Sequence, residues 1–122
     1  MKEKSFTDLE QSKKLAEILP HESADMSWVS CDDGRQKYYQ AENRKIILNY
    51  EKKHWLYCWS LAALLDVIPK HTDLCKSSSN ENKDIIAYWC YNFPNNLTTE
   101  CYDNPVDACV AMIEKLHELK ML

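Results

Sequence analysis

The chain has 122 residues, a net charge of −4 and a single glycine, Gly34, beside six cysteines and four tryptophans. This length predicts one domain over residues 1–122, large enough to bury a hydrophobic core. The phosphate-binding patterns G-x-G-x-x-G and G-x-x-x-x-G-K-[ST] and the nucleophile elbow G-x-S-x-G each need at least two glycines. The composition therefore excludes the nucleotide-binding and hydrolase classes that depend on these loops.

The first predicted element is a helix over residues 8–19. Thr7 and Glu10 match the T-x-x-E capping box, in which a hydroxyl and a carboxylate each satisfy a free backbone amide at the start of a helix. Apolar residues recur at helical spacing after this box, and Pro20 ends the helix because proline cannot continue it.

A β-hairpin follows, with strands over 26–31 and 35–40. Asp33 and Gly34 predict the turn between them, since a tight hairpin turn needs a positive φ that glycine adopts easily. A further strand is predicted over 46–50, where the sequence reads Ile-Ile-Leu-Asn-Tyr.

The second helix is predicted over 60–68, capped by Ser60 and ended by Pro69. It is apolar on all sides, which is typical of a buried helix. The next segment, 73–83, is polar and contains three consecutive serines, so it predicts a flexible surface loop.

The carboxyl-terminal part predicts a second hairpin, with strands over 85–93 and 97–102, and a third helix. Asn104 as cap, Pro105 at the first helical position and Asp107 near the positive end of the helix dipole mark the start of this helix, which should run to residue 119. The predicted fold is α+β, with an antiparallel sheet built from two hairpins and three helices in the order α-ββ-α-ββ-α.

Four segments carry a family resemblance: 7–19, the triplet Ala24-Asp25-Met26, 59–69 and 104–116. Together they resemble a family of short uncharacterised proteins encoded in prophages and conjugative elements of gut Bacteroidetes. The resemblance implies a phage or mobile-element origin and supplies no catalytic residues. The chain departs from the family pattern at Tyr57, where the family has proline.

One stretch, residues 35–55, has the composition of a nucleic-acid surface, because basic side chains contact phosphates and aromatic rings stack on bases. Lysine and arginine also flank strands to prevent edge pairing, and the acidic net charge disfavours DNA binding. A tryptophan and a tyrosine beside cations can alternatively form a protein-binding hot spot. The candidate binding residues are Arg44, Lys45, Lys52, Lys53, Trp55 and Tyr57.

The six cysteines have none of the close pairs that structural zinc sites use, so we expect no metal and no cofactor. Cys90 and Cys109 are predicted to be small buried residues, as free cysteines commonly are. No acid/base pair or nucleophile stands out, and no catalytic residue is assigned. A thiol-dependent enzyme remains a remote alternative.

The amino terminus lacks the apolar region of a secretory signal, and the longest apolar run, 55–68, is too short to span a bilayer. We therefore expect a cytoplasmic protein without a membrane segment. The sequence favours a non-enzymatic protein-interaction domain that binds a host or phage protein. The alternative is nucleic-acid binding through residues 35–55.

Overall fold

The computed structural model describes residues 4–32, 34, 37–43, 55–78, 86–93 and 95–122. Within these ranges the helices are α1 (Leu9–Ile18), α2 (Leu61–Val67) and α3 (Pro105–Glu118), with one 3₁₀ turn at His21–Ser23. The strands are β1 (Met26–Asp32), β2 (Lys37–Asn43), β3 (Trp55–Cys58), β4 (Thr72–Ser78), β5 (Ile86–Asn92) and β6 (Leu97–Thr98).

The strands form two antiparallel sheets of three described strands each. The first has the order β2-β1-β3, with Trp28 opposite Ala41 on one side and Leu56 on the other. The second has the order β4-β5-β6, with Cys75 opposite Trp89. The α+β class and the alternation of helices with antiparallel strands are thus confirmed, and each predicted hairpin is extended by a third strand.

The third strand of the second sheet corrects the predicted surface loop. Residues 73–78 belong to β4, which pairs with β5 along its full length, and residues 79–83 lie outside the described part of the chain. The polar composition was misleading because β4 is an edge strand whose serines and lysine are exposed. Only Leu74 of β4 packs against the core cluster.

The third strand of the first sheet is β3, which begins at Trp55 and pairs with β1. The predicted strand over 46–50 lies outside the described residues. The first hairpin is confirmed by the pairing of β1 with β2, and Gly34 has a φ of 87°, as the turn requires. The strand predicted over 97–102 is shorter than expected, since β6 ends at Thr98 and only Tyr102 forms a further bridge.

The capping box of α1 is displaced by one residue from the predicted position. Asp8, and not Thr7, is the cap, and its carboxylate accepts a 2.8 Å hydrogen bond from the amide of Gln11. The Oε1 atom of Gln11 accepts a hydrogen bond from the amide of Asp8 at 3.1 Å. Thr7 is instead fully buried, where its hydroxyl bonds Ser12 at 2.8 Å and accepts from the amide of Trp59 at 3.1 Å.

The second helix is confirmed with Ser60 as its cap, but it is not buried on all sides. Its interior face holds Ala63 and Leu64, while Leu65 is 43% exposed. A helix of only seven residues at the surface offers one face to the core; Leu61 and Val67 pack partly buried at its edges, and Ala62 and Leu65 are exposed.

The core is built mainly on α3, which packs against α2 and β5, while α1 packs against β3. Half of the fourteen residues of α3 are buried, and the third helix is confirmed with Asn104 as cap and Pro105 at its first position. Trp59 is completely buried and donates its indole N–H to Ser23 Oγ at 2.9 Å. No described helix combines the length and apolar character needed to cross a membrane.

Candidate interaction site

The amino-terminal ends of α1 and α3 meet on one side of the molecule. Gln11 in the first turn of α1 donates from Nε2 to Oδ1 of Asp107 in the first turn of α3 at 2.8 Å. At the opposite ends of these helices, Ile18 and His117 line one shallow cavity together. The two helices therefore run side by side in the same direction, which places the positive ends of both helix dipoles together.

Carboxylates and one lysine occupy this junction. The ammonium of Lys4 lies 2.7 Å from Asp107 Oδ1 and 3.1 Å from Asp8 Oδ2, so it bridges the first turns of both helices. Carboxylates are stabilised beside the positive end of a helix dipole, which explains why Asp8 and Asp107 start these helices. Burial alone lowers the pKa of Lys4, but its hydrogen bonds and ion pairs with Asp107 and Asp8 outweigh this and raise it.

Asp107 is held by an unusually complete set of donors. Besides Lys4 and Gln11, the side-chain amide of Asn104 donates to its Oδ2 at 2.8 Å, and Asn104 Oδ1 accepts from the Asp107 amide at 2.8 Å. Burial alone raises the pKa of this carboxyl, but hydrogen bonds from Lys4, Asn104 and Gln11 hold it below its usual range. Asp107 is therefore a fixed anion at neutral pH.

A cavity of about 510 Å³ opens beside this junction. Phe6 and Trp28 form its apolar wall, with ring centroids 5.5 Å apart in an edge-to-face arrangement. The indole N–H of Trp28 donates to the carbonyl oxygen of Thr7 at 3.0 Å, which fixes the ring. We call this cavity, with Lys4 and its acidic rim of Asp8, Asp103 and Asp107, the aromatic cavity.

The surface of α1 and α3 next to the aromatic cavity is strongly acidic. Three shallow cavities of about 300, 320 and 260 Å³ adjoin at Glu114, which lines all of them: the first and third lie between α1 and α3, and the second lies between α3 and residues 99–102. We call this surface the acidic face; its basic side chains are Lys14 and Lys115, and its carboxylates are those of Asp8, Glu10, Glu17, Glu100, Asp107, Glu114 and Glu118.

Tyr102 lies in the middle of the acidic face and reports its electrostatic potential. Burial raises the pKa of its hydroxyl, and the negative charges of Glu100, Asp107 and Glu114 raise it further. A phenol whose ionisation is opposed by three separate carboxylates lies in a region of negative potential. This face therefore attracts cations and repels polyanions such as nucleic acid.

The candidate residues predicted from the sequence lie elsewhere or outside the described residues. Arg44, Lys45, Lys52 and Lys53 belong to the undescribed segment 44–54, and only the backbone of Trp55 is described, in β3.

Tyr57 is the remaining predicted binding residue, and it is half-buried. Its ring stacks on the imidazole of His21 with a centroid distance of 4.2 Å, and it packs against the core cluster. Tyr57 therefore makes packing contacts, and its role in binding stays a prediction.

The five cysteines whose side chains are described, Cys58, Cys75, Cys90, Cys101 and Cys109, are free thiols. Cys90 and Cys109 are completely buried in the core, as predicted, and Cys58 is buried beneath Thr7. Burial raises the pKa of the Cys58 thiol, and the hydrogen bond to Cys109 together with burial raises that of Cys90. The raised pKa makes the Cys58 and Cys90 thiols poor nucleophiles, because the thiolate is the reactive form. The hydrogen bond with Cys90 lowers the pKa of Cys109, but this thiol is completely buried in the core.

Within the described ranges, no three His, Cys, Asp or Glu side chains are grouped so that they could hold a metal ion. No family model matches the chain, and neither curated proteins nor solved structures give a match. The argument about function therefore depends on the geometry of the site itself.

Sequence reasoning missed the aromatic cavity and the acidic face. Asp107 was predicted only as a residue that interacts with the helix dipole, and it does lie in the first turn of α3. The available signal was the charge imbalance: residues 62–122 contain nine acidic and five basic side chains. That imbalance does not reveal which surface is acidic until the pairing of α1 with α3 is known.

Proposed function

We propose that this chain is a small, non-enzymatic protein-interaction domain of a phage or mobile element. It acts in the cytoplasm and binds a basic segment of a host or phage protein across the acidic face. The mobile-element origin rests on the family resemblance carried by residues 7–19, 24–26, 59–69 and 104–116.

The continuity of the acidic face along α1 and α3 is the observation that carries this proposal. Seven carboxylates line three adjoining cavities with Lys14 and Lys115, and Lys4 pairs with two of the seven, Asp8 and Asp107, whereas the whole chain has nineteen acidic and fifteen basic residues. The excess of negative charge is thus concentrated on one surface. Complementary potentials steer a cationic partner to such a surface and reject a like-charged one.

The position of the thiols supports a non-enzymatic role. Cys58, Cys90 and Cys109 are buried, and the shallow cavities of the acidic face contain no cysteine. His117, which lines one of these cavities, is exposed and has no cysteine beside it in that lining. The lining of this face therefore contains no pair of a cysteine nucleophile and a histidine base.

The test is the binding of a fluorescein-labelled peptide of alternating lysine and serine, measured by fluorescence anisotropy. A glutamate–serine peptide and a glutamine–serine peptide serve as acidic and neutral probes. We expect saturable binding of the lysine peptide only, weakening as salt rises from about 0.05 to about 0.15 M because the attraction is screened. Equal binding of all three peptides, or of none, would contradict the proposal.

A pair of matched double variants locates the surface. Glu100→Lys with Glu118→Lys reverses two exposed carboxylates of the acidic face. Glu22→Lys with Asp66→Lys reverses two exposed carboxylates that line none of its cavities, with the same change in net charge. We expect the first variant to bind the lysine peptide at least about tenfold more weakly than the second. Similar losses in both would show that net charge, and not this face, attracts the peptide.

A further inference from the structure

We infer that the aromatic cavity binds the cationic side chain, lysine or arginine, of a basic partner segment. This inference rests on the proposed function and assigns it an anchoring contact. Helix capping explains Asp8 and Asp107 but does not explain why two aromatic rings line an open cavity next to them. The side chain of a lysine or arginine can contact the aromatic wall and the acidic rim of this cavity at the same time.

Lys4 shows that the junction already accepts an alkylammonium group. Its Nζ lies 2.7 Å from Asp107 and 3.1 Å from Asp8, and it reaches them from the segment that also carries Phe6. The single ammonium does not neutralise the rim, because Asp8, Asp103 and Asp107 contribute three carboxylates to it. The positive ends of the two helix dipoles, about half a charge each, offset part of this excess, and a second cation entering the cavity would still face a net negative rim.

The apolar wall selects for a cation with an alkyl or planar body. Phe6 and Trp28 are each half-buried, so part of each side chain remains accessible. The stem of a lysine or the guanidinium plane of an arginine packs on such rings while its charge reaches the rim. The volume of about 510 Å³ is large enough for one such side chain. An anionic side chain is rejected by the carboxylates.

Nuclear magnetic resonance of the ¹⁵N-labelled chain tests the cavity without a peptide. The probe is n-butylammonium chloride, with n-butanol as the neutral match and sodium chloride to hold the ionic strength. We expect the indole N–H signal of Trp28 to shift saturably with n-butylammonium only. The indole of Trp59, which is buried and bonded to Ser23, should not move. Equal shifts of Trp28 with butanol, or no shift with either probe, would overturn the inference.

Variants of Phe6 test the aromatic wall in peptide binding. Phe6→Leu keeps an apolar side chain but removes the ring, and Phe6→Tyr keeps the ring. We expect Phe6→Leu to weaken binding of the lysine–serine peptide about two- to fivefold and Phe6→Tyr to leave it unchanged, with thermal unfolding confirming that both variants are folded. Equal binding by folded Phe6→Leu and Phe6→Tyr would contradict the cation–aromatic contact.

Lys4→Met should strengthen peptide binding, whereas Phe6→Leu should weaken it. It therefore separates an effect on binding from an effect on stability. Because it frees Asp8 and Asp107, we expect it to tighten binding of the peptide and of n-butylammonium by up to about fivefold, even if the melting temperature falls. Unchanged or weaker binding by the folded variant would overturn the inference.

Two outcomes separate this inference from the proposed function. Peptide binding that depends on Glu100 and Glu118 but not on Phe6 or Lys4 would support the proposed function and contradict the anchoring contact. A shift of the Trp28 signal with n-butylammonium, without any peptide binding, would support a cation site in the aromatic cavity and contradict the proposed function.

Discussion

The side-chain amide of Gln11 donates to Asp107 at 2.8 Å, which joins the first turn of α1 to the first turn of α3. The same glutamine closes the capping box of its own helix by accepting from the amide of Asp8. One residue therefore caps a helix and sets the register between two helices. Because the acidic face lies across these helices, its shape depends on this bond.

Gln11→Ala should destabilise the fold by about 1–2 kcal/mol, since it removes a capping bond and a bond to a charged acceptor. Glu10→Ala is the matched control, because Glu10 is exposed in the same turn. The control should change the free energy of unfolding by less than about 0.5 kcal/mol. Urea denaturation measures both variants. If the two variants have the same midpoint, Gln11 does not join the helices as described.

The capping of α1 shows how far local sequence patterns reach. Thr7 and Glu10 fit a T-x-x-E box, and Asp8 and Gln11 fit the corresponding box one residue later, so the pattern alone does not choose between them. The choice is made by tertiary contacts: Thr7 is used to bond Ser12 and the amide of Trp59 in the interior. The cap of α1 could therefore be predicted to within one residue, and the burial of Thr7 decided between Thr7 and Asp8.

The strands show a similar limit. β1 and β5 were predicted because β-branched and aromatic residues are dense there, whereas β4 was missed because an edge strand with exposed polar side chains resembles a loop. The candidate site could not be predicted, since Lys4, Phe6, Trp28 and Asp107 come together only through the packing of α1, β1 and α3. No local pattern connects residues so far apart in the chain.

Acid should remove the contribution of Asp107 to stability. Its pKa is lowered in the folded state, so the stabilisation is present above the pKa of the unfolded chain and is lost as pH falls through the folded value. The pKa of Lys4 is raised, so its contribution is present at neutral pH and is lost only as pH rises above about 10.

We therefore expect the melting temperature of the wild type to exceed that of Asp107→Asn at neutral pH, and the difference to shrink as pH falls below about 4. Differential scanning calorimetry at stepped pH measures it. Asp103→Asn is the control, because Asp103 is exposed and has no ion pair among the described contacts. A difference between wild type and Asp107→Asn that persists unchanged at pH 2 would show that the carboxylate charge is not the cause.

The thiols should divide into reactive and protected groups. Cys101 is exposed, whereas Cys58, Cys90 and Cys109 are buried. Brief treatment of the folded protein with iodoacetamide should label Cys101 and leave the three buried thiols unlabelled until urea is added, as read by peptide mass spectrometry. Labelling of Cys58, Cys90 or Cys109 in the folded state as fast as that of Cys101 would revive the thiol-dependent enzyme.

Nucleic-acid binding through residues 35–55 is the prediction that competes most directly with the acidic face. We expect a fluorescein-labelled single-stranded oligonucleotide to show no saturable binding at about 0.1 M salt, because the net charge of −4 opposes association with the phosphate backbone. The matched variant reverses the charges of Arg44, Lys45, Lys52 and Lys53. Binding by wild type that weakens steeply with salt and disappears in this variant would establish the nucleic-acid function. Binding of the lysine–serine peptide by both proteins, with no oligonucleotide bound by either, would separate the acidic face from the basic stretch.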